Sequence, residues 1–212
     1  MSKKLNVGDI FYFKVENHEL YVFGRILFDI EKQVYKAKKD NFENYFDCYR
    51  GCHLVEMYKG IYDTTELPDN LEVLIPRYFV SNEDKTIWNL AGFEKVDFEK
   101  VEFPEVVGTA FNENRLMRGE LCFKTNIKDP ISYPGILPSY DYPIVLVDIC
   151  LALQGKENLI DGEYYPESLT DLDLLHHPQI RTEIYNDLEI DLSKSYYELS
   201  KEMGFDLARF YE

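Results

Sequence analysis

Ile10-Phe11-Tyr12-Phe13-Lys14-Val15, followed after Glu16-Asn17-His18-Glu19 by Leu20-Tyr21-Val22-Phe23-Gly24-Arg25-Ile26-Leu27-Phe28, decides the fold. Side chains alternate sides along a strand, so Phe11, Phe13 and Val15 share one face while Ile10, Tyr12 and Lys14 share the other. The polar residues between the two runs make a short loop, and the second run returns antiparallel to the first. Gly24 in mid-strand marks a bulge, a bend or the close approach of another backbone, because glycine there gives up packing and backbone entropy.

Outward from this hairpin, β-branched and aromatic enrichment predicts strands at Val34 to Ala37, Leu54 to Met57, Glu72 to Val80, Thr86 to Leu90 and Leu121 to Lys124. Pro76 cannot donate to a ladder, so its segment is an edge strand or is broken at Ile75-Pro76. Loops are expected at Asp63 to Asn70, at Ser81 to Lys85 and across the Pro-rich stretch from Asp129 to Pro143. Helical signals come late in the chain. Ser195-Tyr196-Tyr197-Glu198 matches a capping box, with Tyr196, Leu199 and Met203 at helical spacing and Gly204 suited to the C-cap. Ser168 to Leu175 reads as a short helix, and Pro178 as the start of another through Asp187. Tyr142 to Gln154 fits either a strand or a buried helix, since β-branched residues lead and helix formers follow. The expected fold is α+β: a bent antiparallel sheet or partial barrel, with short helices packed on it from the C-terminal third. We read residues 1–212 as one such domain, β-rich over 1–128 and mixed or helical over 142–212, joined by the Pro-rich loop.

With 45% hydrophobic and 15% aromatic residues, the 212-residue chain can build a substantial core. High aromatic content, ordinary Gly and Pro content and only four Cys exclude disordered, collagen-like and disulfide-scaffold classes. Asp and Glu total 39 against 23 Lys and Arg, a net charge of −16 that disfavours nucleic acid and anionic membrane and favours a basic partner. The charge is uneven. Residues 1–60 carry 10 basic and 9 acidic side chains, whereas residues 157–212 carry 4 and 14. The plain reading of such acidity is a solvated surface that aids solubility; the sharper one is a face for a cationic protein.

Met1 to Lys4 runs into Leu5-Asn6-Val7-Gly8-Asp9 without a long apolar stretch, so a cytoplasmic chain is expected. The most apolar run, Ile144-Val145-Leu146-Val147 and Ile149 to Leu153, is interrupted by Asp148. It falls far short of the ~20 residues that span a bilayer. Cys48, Cys52, Cys122 and Cys150 suit reduced thiols.

Motif chemistry is sparse. Asp187, Glu189, Asp191 and Glu198 have a calcium-loop spacing, but Leu192 stands where the sharp turn needs glycine. His176-His177 lack a nearby ligand pair, and Cys48 and Cys52 with His53 do not have the CxxC spacing of zinc or redox sites. Packed or partly exposed free groups are the default for both. No nucleophile-elbow, P-loop or dinucleotide-binding glycine pattern occurs. No catalytic residue, metal or cofactor is therefore assigned, and the chain is expected not to be an enzyme. Seventeen Tyr and fourteen Phe exceed the ordinary needs of a core, and exposed tyrosines beside carboxylates make anchors for a basic partner. Tyr58 to Asp63 and Glu163 to Glu167 are two such clusters.

Val7-Gly8-Asp9-Ile10-Phe11-Tyr12-Phe13 and Tyr21-Val22-Phe23-Gly24-Arg25-Ile26-Leu27 together resemble the N-terminal signature of the immunity protein 26 family, and Trp88-Asn89-Leu90-Ala91-Gly92 is similar to a later strand of that family. The likeness implies a bacterial cytoplasmic protein that binds and neutralises a cognate polymorphic toxin, often a nuclease. Occlusion through an acidic, aromatic-containing surface is the expected mode. The stretch to test is Asp161, Glu163, Tyr164, Tyr165, Glu167, Asp171 and Asp173. Gly24 and Arg25 serve the fold or the interface equally well on sequence alone. Two other readings stay open: a small-molecule hydrolase with active-site residues dispersed in sequence, and an adaptor or structural module that uses a sheet edge.

Overall fold

The fold is α+β, seen in a computed structural model that describes residues 4–37, 46–110, 113–126, 139–161, 169 and 171–212. Contacts divide the chain into two compact units interleaved in sequence. The first comprises Met1–Glu31, Gly51–Val96 and Tyr140–Pro166; the second comprises Lys32–Arg50, Asp97–Ser139 and Glu167–Glu212.

In the first unit the opening hairpin forms as expected. Strand β1 (Asp9–Lys14) pairs with β2 (Tyr21–Asp29) in a register that sets Phe11 opposite Gly24 and Phe13 opposite Val22. With β3 (Cys52–Tyr58), β4 (Val73–Ser81) and β5 (Asn89–Phe93) they form an antiparallel sheet in the order β4-β3-β2-β1-β5. Pro76 lies in β4, an edge strand, where a missing N–H costs no ladder bond on the open side.

Both faces of this sheet are covered. Phe11 and Phe13 pack their rings on Trp88, at 4.7 and 4.9 Å between centroids. On the other face Ile10, Phe23 and Tyr58 form a cluster flanked by Tyr12, Tyr21 and Tyr62. Helix α1 (Pro143–Leu153) resolves the strand-or-helix ambiguity of Tyr142 to Gln154. Pro143 suits the first helical turn, where its missing N–H would have no partner anyway.

Two expected strands differ. Val34 to Ala37 is not extended: Ile30–Lys36 winds as a π-helix. Ile30 and Val34 are both buried there, and helical winding brings residues four apart to one side. The strand expected at Thr86 to Leu90 begins three residues later, at Asn89, because Trp88 turns inward against Phe11 and Phe13.

The second unit holds a three-stranded antiparallel meander, β6 (Glu105–Ala110), β7 (Glu113–Arg118) and β8 (Leu121–Lys124). Val106, Val107, Leu116 and Met117 pack with Leu174, Ile184 and Tyr185, the last two from helix α2 (Pro178–Asp187). Helix α3 (Tyr196–Glu202) opens with the predicted capping box: the Ser195 hydroxyl accepts from the Glu198 N–H, and the Glu198 carboxylate accepts from the Ser195 N–H. Gly204 adopts φ +85 just past its end. Only part of the short helix expected over Ser168 to Leu175 lies within the described residues, and most of the Pro-rich loop lies outside them.

Charge is buried at the heart of the second unit. Glu105, fully buried, accepts from Arg181 Nε and Nη2 at 2.6 and 2.9 Å, and Arg118 Nε lies 3.5 Å from it. Arg118 also donates to Glu102 and, at 3.2 Å, to the Tyr185 hydroxyl. Buried charges persist when paired, and each charge of this set has an ionic partner; Arg118 Nε itself makes no hydrogen bond among the described residues.

Candidate functional site

Gly24 and Arg25, two of the residues that carry the family likeness, are framework. A Cβ on Gly24 would come within 2.6 Å of the Glu56 carbonyl oxygen and the Met57 sulfur and 2.7 Å of the Phe11 ring. Close approach of the neighbouring strand is thus the reason for the glycine. Arg25 pairs with Glu56 at 2.8 Å and Glu94 at 3.0 Å, and Tyr58 donates to the same Glu56 carboxylate at 2.8 Å. Both side chains of the Arg25–Glu56 pair are largely buried, so neither Gly24 nor Arg25 is presented to a partner.

Three residues of the acidic stretch, Asp161, Asp171 and Asp173, lie within the described residues. The Asp161 carboxylate is exposed and accepts from Asn17 Nδ2 at 2.9 Å. Asp171 is half-buried. Asp173 is buried at 4% exposure, where its carboxylate accepts from the Glu105 and Leu175 backbone N–H groups at 3.1 and 3.0 Å. It caps a turn and holds β6. Glu163, Tyr164, Tyr165 and Glu167 lie outside the described residues. In the other aromatic cluster, Tyr58 is buried and Tyr62 packs edge-on against Phe23, so both belong to the sheet's second face.

Beside Asp161 the first unit opens a groove of about 300 Å³. Phe13 from β1 and Val147 from α1 are buried at its floor, and Ile87 and Ile144, 36% and 48% exposed, form open apolar walls. Lys14, Glu16, Thr86, Asn89 and Asp148 add polar groups to its lining. Ile144 and Asp148 are four apart on α1 and therefore share a helix face. Asn17, at the tip of the β1–β2 turn, has φ +56, a left-handed conformation that asparagine tolerates. This turn brings Glu16 to the groove, and its Asn17 holds Asp161.

The charge at this mouth is one-sided. Burial raises the Asp148 carboxyl above the usual aspartate range, and Glu16 and Asp161 push it further the same way. Lys14, the basic residue on the lining, donates its ammonium to Glu19. Among the described residues neither Glu16 nor Asp148 has a hydrogen-bond or ion-pair partner of its own.

Sequence reasoning reached Asp161 but passed over Glu16 and treated Asp148 only as a break in an apolar run. That break was the available signal: a carboxylate inside an apolar helix stripe needs either a partner or an opening to water.

The other motif residues are built into the fold. His53 is buried, its Nδ1 3.8 Å from Asp29 and its ring perpendicular to Trp88. Burial, with Glu83 contributing, pushes the Cys52 thiol up to about 12, which leaves it unreactive. Asp187 accepts from the Asn126 backbone and side chain, each at 3.0 Å. Among the described residues no three His, Cys, Asp or Glu side chains are grouped as a metal site would need, and no helix is long and apolar enough to cross a membrane. No protein-family model, curated protein or solved structure matches the chain.

Proposed function

We propose that this chain neutralises a basic toxin domain by binding over its working surface, as an immunity protein does. One observation carries the reading: Glu16 and Asp148, from separate parts of the chain, line an apolar groove, and Asp161 lies near enough to raise the Asp148 carboxyl further. Crowded carboxylates repel one another, and a cation brought from outside relieves that repulsion. The net charge of −16 extends the attraction beyond the groove and speeds encounter with a basic surface. A nuclease is the natural target, because a site built to hold a polyanion also attracts an acidic protein. The likeness of the opening hairpin to the immunity protein 26 family supports the same reading, and one residue of that signature, Phe13, lines the groove.

The test is co-expression with the toxin domain encoded beside this chain's gene, together with mixing of the pure proteins. Restored growth and a complex that weakens with added salt are expected. A pure toxin domain that neither binds the chain nor loses activity in its presence overturns the proposal.

A second reading, a small-molecule hydrolase, draws on the raised carboxyl of Asp148 beside Glu16 in a cleft. Turnover of a chromogenic ester or glycoside by the wild type, lost in Asp148→Asn, is the result that would favour it.

A further inference from the structure

We infer that the groove between β1 and α1 receives a single arginine or lysine side chain of a partner protein, its aliphatic stem on the apolar floor and its charged head at the carboxylate rim. The inference rests on the reading of the chain as a binder of a basic protein and specifies the contact.

Size is the first argument. About 300 Å³ lies at the lower limit of ligand pockets, which run to roughly 1,000 Å³, and suits one long side chain better than a whole cofactor. The second is the composition of the lining. Phe13, Val147, Ile87 and Ile144 are apolar, and Asp148 stands one helical turn beyond Ile144. An occupant that is apolar along its length and cationic at its end matches a lining of apolar side chains with carboxylates beside them. Arginine and lysine have this form, with methylene stems that bury while the head stays at the polar edge. The third is charge. Lys14 is engaged by Glu19, so it does not neutralise Glu16 and Asp148, while Asp161 adds a third negative group. A purely apolar anchor would leave these three carboxylates without a cation. Arginine is favoured over lysine, since its planar fork can reach two carboxylates at once and it is enriched where interfaces concentrate their binding energy.

The experiment is an NMR titration of the isotopically labelled full chain with the blocked tripeptide acetyl-Gly-Arg-Gly-amide. Two controls accompany it, the same tripeptide with norleucine for arginine and the guanidinium ion alone. Shifts are expected at Phe13, Ile87, Ile144, Val147 and Asp148, with each control about tenfold weaker because it lacks one of the two contacts. Asp148→Asn and Ile144→Ser, made separately at half-exposed positions, should each weaken the arginine peptide by about threefold to tenfold while keeping a native spectrum. Absence of shifts in the groove, or equal binding of arginine and norleucine peptides, overturns the inference. So does a toxin domain bound equally well by wild type and both variants, an outcome that leaves the immunity reading standing. Arginine-specific shifts in a chain that fails to protect against the toxin support the groove assignment and remove the immunity reading instead.

Discussion

Arg25 faces Glu56 directly across β2 and β3, and the two side chains meet at 2.8 Å with only 15% and 10% of their surfaces exposed. The pair is also a register mark, because a one-residue slip of either strand would put the two side chains on opposite faces of the sheet. Arg25→Ala should therefore leave a buried carboxylate with only the Tyr58 hydroxyl and lower stability by about 3–5 kcal/mol. Urea unfolding measures this. Arg25→Met with Glu56→Met should recover much of the loss, and a single variant as stable as wild type would show that the pair contributes little.

Gly24→Ala tests the neighbouring position by packing alone. Its added methyl group would meet the Glu56 carbonyl oxygen, which is backbone and cannot swing aside. A loss of about 1–3 kcal/mol is expected, read as a lower midpoint of thermal unfolding. Binding by the fraction that stays folded should be unchanged, since the site lies elsewhere.

In the second unit Glu105 is the shared partner of two arginines, Arg118 and Arg181. Glu105→Ala leaves a nearly buried guanidinium with less compensation and should cost about 3–5 kcal/mol. Glu105→Gln, which keeps the shape and can still accept hydrogen bonds, should cost less. Equal effects of the two substitutions would assign the loss to packing instead of charge.

The contrast between the two units explains what the sequence could reveal. The first hairpin was legible because its apolar residues alternate, and the Ser195–Glu198 capping box because its two hydrogen bonds are local. β6 and β7 were not. They carry Glu105 and Arg118 where a core strand is expected to be apolar, and only tertiary structure shows that these charges neutralise one another. The groove escaped notice for a related reason. Glu16, Asp148 and Asp161 lie in a turn, a helix and a loop, and no periodicity links them; only Asp161 fell within the acidic stretch that composition singled out. The Val34 strand failed because four residues are too few to separate a period of two from a helical one.

Asp148 provides a prediction with a definite sign. Its carboxyl is raised by burial first and by Glu16 and Asp161 second, so the native chain holds that proton more tightly than the unfolded chain does. The charged form therefore opposes folding at neutral pH, and the opposition is relieved as the pH falls through the native value. Stability should decline as the pH rises through the window between the unfolded and native values. Asp148→Asn should resist urea better than wild type at neutral pH, with the difference vanishing once both chains are uncharged at that position. Carbon-detected NMR of the side-chain carboxyl measures the midpoint directly. Glu16→Gln should lower it, and added salt should lower it toward the ordinary value, because these neighbours act through a partly solvated gap. Saturation with the arginine tripeptide should lower it as well, since a cation at the rim favours the carboxylate. A midpoint unmoved by Glu16→Gln would mean that burial alone sets the titration, and the crowding of carboxylates would then no longer argue for a cationic partner.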